Sequence, residues 1–256
     1  MLKEYLMRYK PEKHRLPPFK TDGALLVDKP KEWTSFDVVN MLRNRFNIPK
    51  IGHCGTLDPA ASGLLVMMLG KFTKLSQKFS GEDKVYQSDM LIGTETDSQD
   101  MDGEVIAEND YSQITEAQVR EALDSFVGEQ EQVPPMFSAK KQDGKRLYQL
   151  ARQGLEVERE AKQICIEYIK IDEIILPHVK FTVKCSKGTY IRTLCADVGK
   201  KLGCGAVLFD LRRTFSGKFD LNDAVSIETL KSWEQADLEI HLRNFMFEKV
   251  SKMAFN

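Results

Sequence analysis

The spacing of apolar residues changes along the chain, and each change predicts an element. "GALLVDKP" at 23–30 is a short continuous apolar run closed by proline, which predicts a buried strand. "TSFDVVNMLRNRFN" places Val38, Val39, Leu42 and Phe46 on one helical face, with Thr34 or Ser35 as N-cap. A glycine-rich loop at 52–59 leads straight into a second buried run, "GLLVMMLG". Residues 84–93 alternate, so Tyr86, Ser88, Met90 and Ile92 share one side of a strand. "TEAQVREALDSFVG" carries a capping box from Thr115 to Gln118. Its apolar stripe runs through Val119, Ala122, Leu123, Phe126 and Val127, and Gly128 stops it.

The second half continues the mixture. "EQEQVPPMFSAKKQDGKR" has two prolines and a turn, which predicts an extended loop outside the core, and "RLYQLARQ" predicts a short helix. "KQICIEYIKI" and "HVKFTVKCS" read as strands, "TYIRTLCADVGKKLG" as a turn entering a helix, and "GAVLFDLRRT" as one more strand. Strands and helices interleave without a strict βαβ repeat. The expected fold class is therefore α+β, a mixed but mostly antiparallel sheet flanked by helices.

Composition narrows the setting. The 256 residues suffice for a substantial core, and no apolar run approaches the roughly 18 residues of a membrane span. Residues 1–20 look like an irregular basic arm without the apolar centre of a signal peptide. Five cysteines at irregular spacing argue against a disulfide framework and fit a reducing cytoplasm. The formal net charge of −1 hides an uneven distribution: bases gather in "KHRLPPFK", "AKKQDGKRLYQLAR" and "LRRTFSGK", acids in "GTETDSQDMDGEVIAEND". A basic face opposite an acidic one can bind RNA, although scattered solvated charge explains the same pattern.

Several familiar sites are excluded. "GLLVMMLGK" has the wrong glycine spacing for a phosphate loop. "SQDMDG" has Ser98 where a calcium loop needs its first Asp and Asn109 where it needs its closing Glu. Cys195 and Cys204 lack the paired spacing of a zinc site, and adjacent His53 and Cys54 tend to point apart, which disfavours a thiol nucleophile. What remains is Asp58 in "GHCGTLDPAASGLL", a carboxylate in a tight turn at the mouth of a buried run. An Asp before Pro is by itself a common turn former.

Two further blocks, read with this one, change that reading. "GHCGTLDPAASGLL", "VPPMFSAKKQDGKRLYQLARQG" and "CSKGTYIRTLCADVGKKLGCGA" together resemble the TruB family of tRNA pseudouridine synthases. "DGALLVDKPKEWTS", "KVYQSDMLIGTETDSQDMDGEV" and "FDLRRTFSG" agree in order and type, so six co-linear blocks cover roughly residues 20 to 225. The resemblance implies the pseudouridine-synthase fold over 21–225, with 130–154 as an RNA-clasping loop insertion. It implies conversion of uridine 55 of the tRNA T loop to pseudouridine without metal, redox cofactor or ATP. Asp58 matches the essential catalytic residue, either a nucleophile at the sugar or a base for the C2′ proton. Burial alone would neutralise such a carboxylate. Arg192 resembles the cation paired with it, Tyr86 the tyrosine that stacks on the base, and Tyr190 the tyrosine that lines the pocket and takes the C5 proton.

Other positions follow from the same resemblance. Leu211 matches an apolar residue of the uracil pocket, and His53 the histidine that fills the space left by the extruded base. Lys29, with Pro30, matches a motif supporting the catalytic loop and counts among the substrate and RNA-binding candidates. Lys140, Lys141, Lys145 and Arg146 would face phosphates of the T stem-loop, giving position but no base choice. Bacterial members usually continue into a PUA domain, for which residues 220–256 are too short; 226–256 is expected to be a short helical tail. A monomer is expected from the family's habit. The rival reading from another class is a non-catalytic tRNA-binding or folding helper on the same scaffold.

Overall fold

The computed structural model describes residues 16–138, 141–142, 144–151 and 153–254. The chain opens with strand β1 (Gly23–Lys29), helix α1 (Ser35–Phe46), β2 (Ile51–His53) and β3 (Ser62–Leu69). A 3-10 turn (Gly70–Leu75) and the short helix α2 (Ser76–Ser80) lead to β4 (Lys84–Ile92), then to a ribbon of β5 (Thr94–Thr96) and β6 (Val105–Glu108). Helix α3 (Glu116–Asp124) and β7 (Gly128–Gln132) precede a small hairpin, β8 (Lys141–Gln142) with β9 (Lys145–Arg146), and helix α4 (Leu147–Ala151). The long hairpin of β10 (Lys162–Ile175) and β11 (His178–Cys185) is followed by α5 (Ile191–Leu202) and β12 (Ala206–Ser216). Strands β13 (Phe219–Asp220) and β14 (Val225–Ser226) and helices α6 (Ile227–Ser232) and α7 (Gln235–Ala254) come last.

Ten strands form one sheet in the order β14-β1-β3-β12-β4-β11-β10-β7, with β2 added to β3 and β13 to β12. The β1–β14 and β3–β12 pairs are parallel, and the remaining pairs of this sheet are antiparallel. The fold is thus the mixed, mostly antiparallel α+β arrangement that the patterning predicts. All eight residues of β3 are buried because the strand is covered on both faces. Leu64, Val66 and Met68 meet Ala24, Leu26 and Cys54, while Leu65, Met67 and Leu69 meet Val38, Leu42 and Phe46 of α1. On the other half of the sheet, Leu194, Cys195 and Val198 of α5 pack with Met90, Phe181 and Val183.

Local chemistry sets the helix ends. Thr34 caps α1 in a reciprocal box with Asp37, and Asn47 closes it in the left-handed region at φ 47°. Thr115 and Gln118 form the corresponding box on α3. That helix ends earlier than its sequence suggests, at Asp124, and Gly128 instead begins β7, an edge strand on β10. Glu129 and Glu131 face water while Gln132 is buried, so the strand has no apolar period to reveal it. The ribbon of β5 and β6 is likewise hidden within the acidic stretch 94–110. Most of the expected basic arm, residues 1–15, lies outside the described residues.

The β3–β12 contact is unusually close at Gly63, which sits at φ 102°. A Cβ there would lie 2.3 Å from the Arg213 carbonyl oxygen. Gly63→Ala is expected to cost about 2–4 kcal/mol, through clash and left-handed strain together. A lowered urea midpoint reports this loss; an unchanged midpoint would contradict the parallel pairing of these strands.

Candidate active site

The loop between β2 and β3 carries Asp58, and buried partners fix its backbone. Ser35, at the start of α1, accepts from the Leu57 amide at 2.9 Å and donates to the Leu57 carbonyl at 3.1 Å. Arg213 of β12 reaches the same loop from the other side. Its Nη2 donates to the Gly55 carbonyl at 3.2 Å and its Nε to the Leu64 carbonyl at 2.7 Å. The Glu32 amide donates to the Pro59 carbonyl at 2.9 Å. A loop whose polar groups are satisfied this way holds its side chain in one place.

Arg192 stands in the first turn of α5, where an Arg usually faces water; here its side chain is only 5% exposed. Its guanidinium bridges two acids, Asp58 through Nη2 at 2.8 Å and Asp100 through Nη1 at 3.3 Å. Asp100 comes from the loop of the β5–β6 ribbon and is itself fixed by the Ser98 hydroxyl at 2.5 Å. Gln132 of β7 holds the Tyr190 backbone from both ends, at 2.8 and 3.1 Å. Around the Asp58–Arg192 pair lies a pocket of about 280 Å³, lined by Tyr86, Tyr190, Leu211 and Arg213 among others. Such a volume is near the lower end of small-molecule sites.

Burial is the main influence on the ionisable groups. It pushes the Asp58 carboxyl above its ordinary value; Arg192 and Lys29 oppose this, while Asp100 and Asp102 add to it. The Tyr86 and Tyr190 phenols are also raised by burial and stay neutral at neutral pH. His53 is shifted down by burial and by the Arg213 charge.

The pocket therefore gathers five of the residues expected at the site: Asp58, Tyr86, Tyr190, Arg192 and Leu211. His53 sits on β2 outside the lining, with its Nδ1 buried. Lys29 also lies outside the lining. It is fully buried, and its ammonium donates to the carbonyls of Pro30 at 2.8 Å and Trp33 at 2.6 Å. Those two carbonyls hold the ammonium beside the turn that enters α1. Lys141, Lys145 and Arg146 lie on the small hairpin, and Lys140 lies outside the described residues. Among the described residues no His, Cys, Asp or Glu cluster could hold a metal ion, and no helix is long and apolar enough to cross a membrane.

Known proteins are similar to most of the chain. A family model described as TruB family pseudouridylate synthase, N-terminal domain, matches residues 43–191. The chain belongs to the TruB family. A second model, described as tRNA pseudouridylate synthase B C-terminal domain, matches residues 192–247. A TruB relative from Opitutus terrae, named tRNA pseudouridine synthase B, is 46% identical over 88% of this chain and 94% of its own length. One of the same name from Alkaliphilus oremlandii is 44% identical over 90% of this chain and 77% of its own. Among solved structures, a chain of a Cbf5–Nop10–Gar1 complex is 30% identical and superposes with a TM-score of 0.65, over 82% of this chain. A chain of an archaeal box H/ACA Nop10–Cbf5 complex gives 27% and 0.62, over 86%. This TruB chain spans 54% and 58% of the length of those two.

Sequence reasoning missed Asp100 and Arg213. The acid was visible in "SQDMDG", but its use required knowing that the ribbon folds back on α5. Arg213 and Arg212 are adjacent and alike in sequence. Strand alternation sends Arg213 into the site and Arg212 to Asp28 at 2.8 Å.

Proposed function

We propose that the protein is a tRNA pseudouridine synthase that isomerises uridine 55 of the T loop, with Asp58 as the catalytic carboxylate. One observation carries the reading: a carboxylate bonded to a buried guanidinium inside a pocket walled by two tyrosines and a leucine. The target base leaves its stack, at a cost of about a few kcal/mol, and enters that pocket. Asp58 then attacks C1′ or removes the C2′ proton, and both steps need an ionised, oriented acid. The uracil turns and rejoins C1′ through C5, with Tyr190 placed to take the C5 proton. His53 fills the vacated space, and Lys140, Lys141, Lys145 and Arg146 meet phosphates of the T stem-loop. The fit to a splayed loop nucleotide agrees with RNA recognition by shape and single-stranded bases. A monomer in a reducing cytoplasm completes the proposal, and the five cysteines are unpaired.

A tRNA-folding helper would need none of the paired groups around Asp58. The test is incubation of the protein with tRNA, followed by pseudouridine mapping. Pseudouridine at position 55 alone is expected. Unmodified RNA would leave the helper reading, and free uracil in the products would indicate hydrolysis.

The acid limb of the reaction offers a second check. Since the Asp58 carboxyl is raised, its ionised fraction falls before the pH reaches the ordinary carboxylate value of 3.8. Asp100→Asn removes a like charge that contributes to the shift. The limb is expected to move to lower pH in this variant, in single-turnover pH–rate profiles. A limb that stays in place or moves up would contradict the assignment.

A further inference from the structure

The pocket has a second charged wall that the Asp58–Arg192 pair does not use. Lys84, the first residue of β4, and Arg213 of the adjacent strand β12 both line it. They are 6% and 1% exposed. Neither forms an ion pair with a carboxylate among the described residues. Arg213 donates to the carbonyls of Gly55, Thr56 and Leu64, and Lys84 to those of Ser80 and Glu82. Two buried cations side by side repel each other, and each has given up hydration. Burial, and after it the Arg213 charge, brings the Lys84 ammonium down to about 8, so it still carries its charge at neutral pH. Such a wall is arranged for negative charge that forms within the pocket.

We propose that Lys84 and Arg213 stabilise the anion that the uracil ring becomes when its bond to ribose breaks; this rests on the function proposed above. The electron pair of the N1–C1′ bond leaves with the ring, and the charge spreads over N1, O2 and O4. C1′ is then bonded to an Asp58 oxygen, or forms a double bond to C2′ whose proton Asp58 has taken. C5 of the turned ring bonds C1′. The ester pair returns to Asp58, or C2′ regains its proton. The C5 proton leaves to the site's base and N1 takes up a proton, so the composition of the nucleotide is unchanged. Neutral bound uridine gains little from these cations and the departing anion gains much, which is the condition for lowering the barrier.

A leaving group that stabilises its own charge tests this. T stem-loop RNA carries either uridine or 5-fluorouridine at the target, and loss of that nucleoside is followed in single turnovers. Lys84→Met keeps the length of the side chain and removes the charge. It is expected to slow uridine by about 10- to 100-fold and 5-fluorouridine several-fold less, with RNA affinity nearly unchanged. Lys84→Arg keeps a cation and is expected to preserve the wild-type ratio between the two substrates. Equal losses on both substrates, or no loss on either, would overturn the proposal and leave Lys84 a prop for the 80–84 turn. If Lys84→Met does not fold, Lys84→Gln is read in the same way. Wild-type protein that leaves uridine unchanged would overturn the function itself.

Discussion

Asp58→Asn is expected to lower pseudouridine formation by at least about 10³-fold, with RNA affinity changed by less than about threefold. The amide has the size of the carboxylate but can neither attack C1′ nor take the C2′ proton. The surroundings survive the change. Arg192 keeps Asp100 as a partner at 3.3 Å, and the loop keeps its anchors on Ser35 and Arg213. Folding should not suffer either. The Asp58 carboxyl is raised in the folded protein, so its ionisation there costs stability as pH rises through the folded value. At neutral pH the Asn variant should melt no lower than wild type. Retained turnover would remove Asp58 from the chemistry, and a variant unable to bind RNA would make it a structural residue.

Local patterning made much of the scaffold legible, because its elements are decided by nearby residues. The Thr115–Gln118 box, the stripe of α1 and the doubly buried run of β3 each announce themselves within about a dozen positions, whereas the pattern leaves the cap of α1 between Thr34 and Ser35. Edge strand β7 and the β5–β6 ribbon did not, since both are built from polar residues whose order comes from pairing partners far along the chain. The site divides the same way. Asp58 drew notice as a carboxylate in a glycine and proline turn beside a buried run, but by itself it reads as a turn former, and its proposed catalytic role came from family resemblance. Arg192 and the two tyrosines came from family resemblance, and without it each reads as an ordinary surface or packing residue. Asp100 lies 92 positions from the guanidinium it supports, a separation that no local pattern bridges. For Lys29 a motif match located the residue, and the structure adds that it is fully buried with its ammonium on two backbone carbonyls.

Arg192 is the residue whose loss should damage both stability and chemistry, and the two effects can be separated. Arg192→Met leaves Asp58 and Asp100 facing a site without the cation that bridges them. Asp58 is partly open to the pocket, 44% by side chain, so most of the cost falls on Asp100, which is 9% exposed. Breaking one side of such a buried pair costs about 3–5 kcal/mol, visible as a lower denaturation midpoint. Pseudouridine formation should fall by about 10²–10³-fold as well, since the unopposed carboxyl of Asp58 rises further and loses its orientation. Adding Asp100→Asn to Arg192→Met removes the stranded charge. The double variant should regain most of the stability and little of the rate. Arg192→Lys tests geometry instead, because one ammonium cannot reach both acids as the two guanidinium nitrogens do. It should fold better than the Met variant yet remain about 10-fold or more below wild type in rate. If rate returned in step with stability across these variants, Arg192 would be a structural strut and Asp58 would need no partner to act.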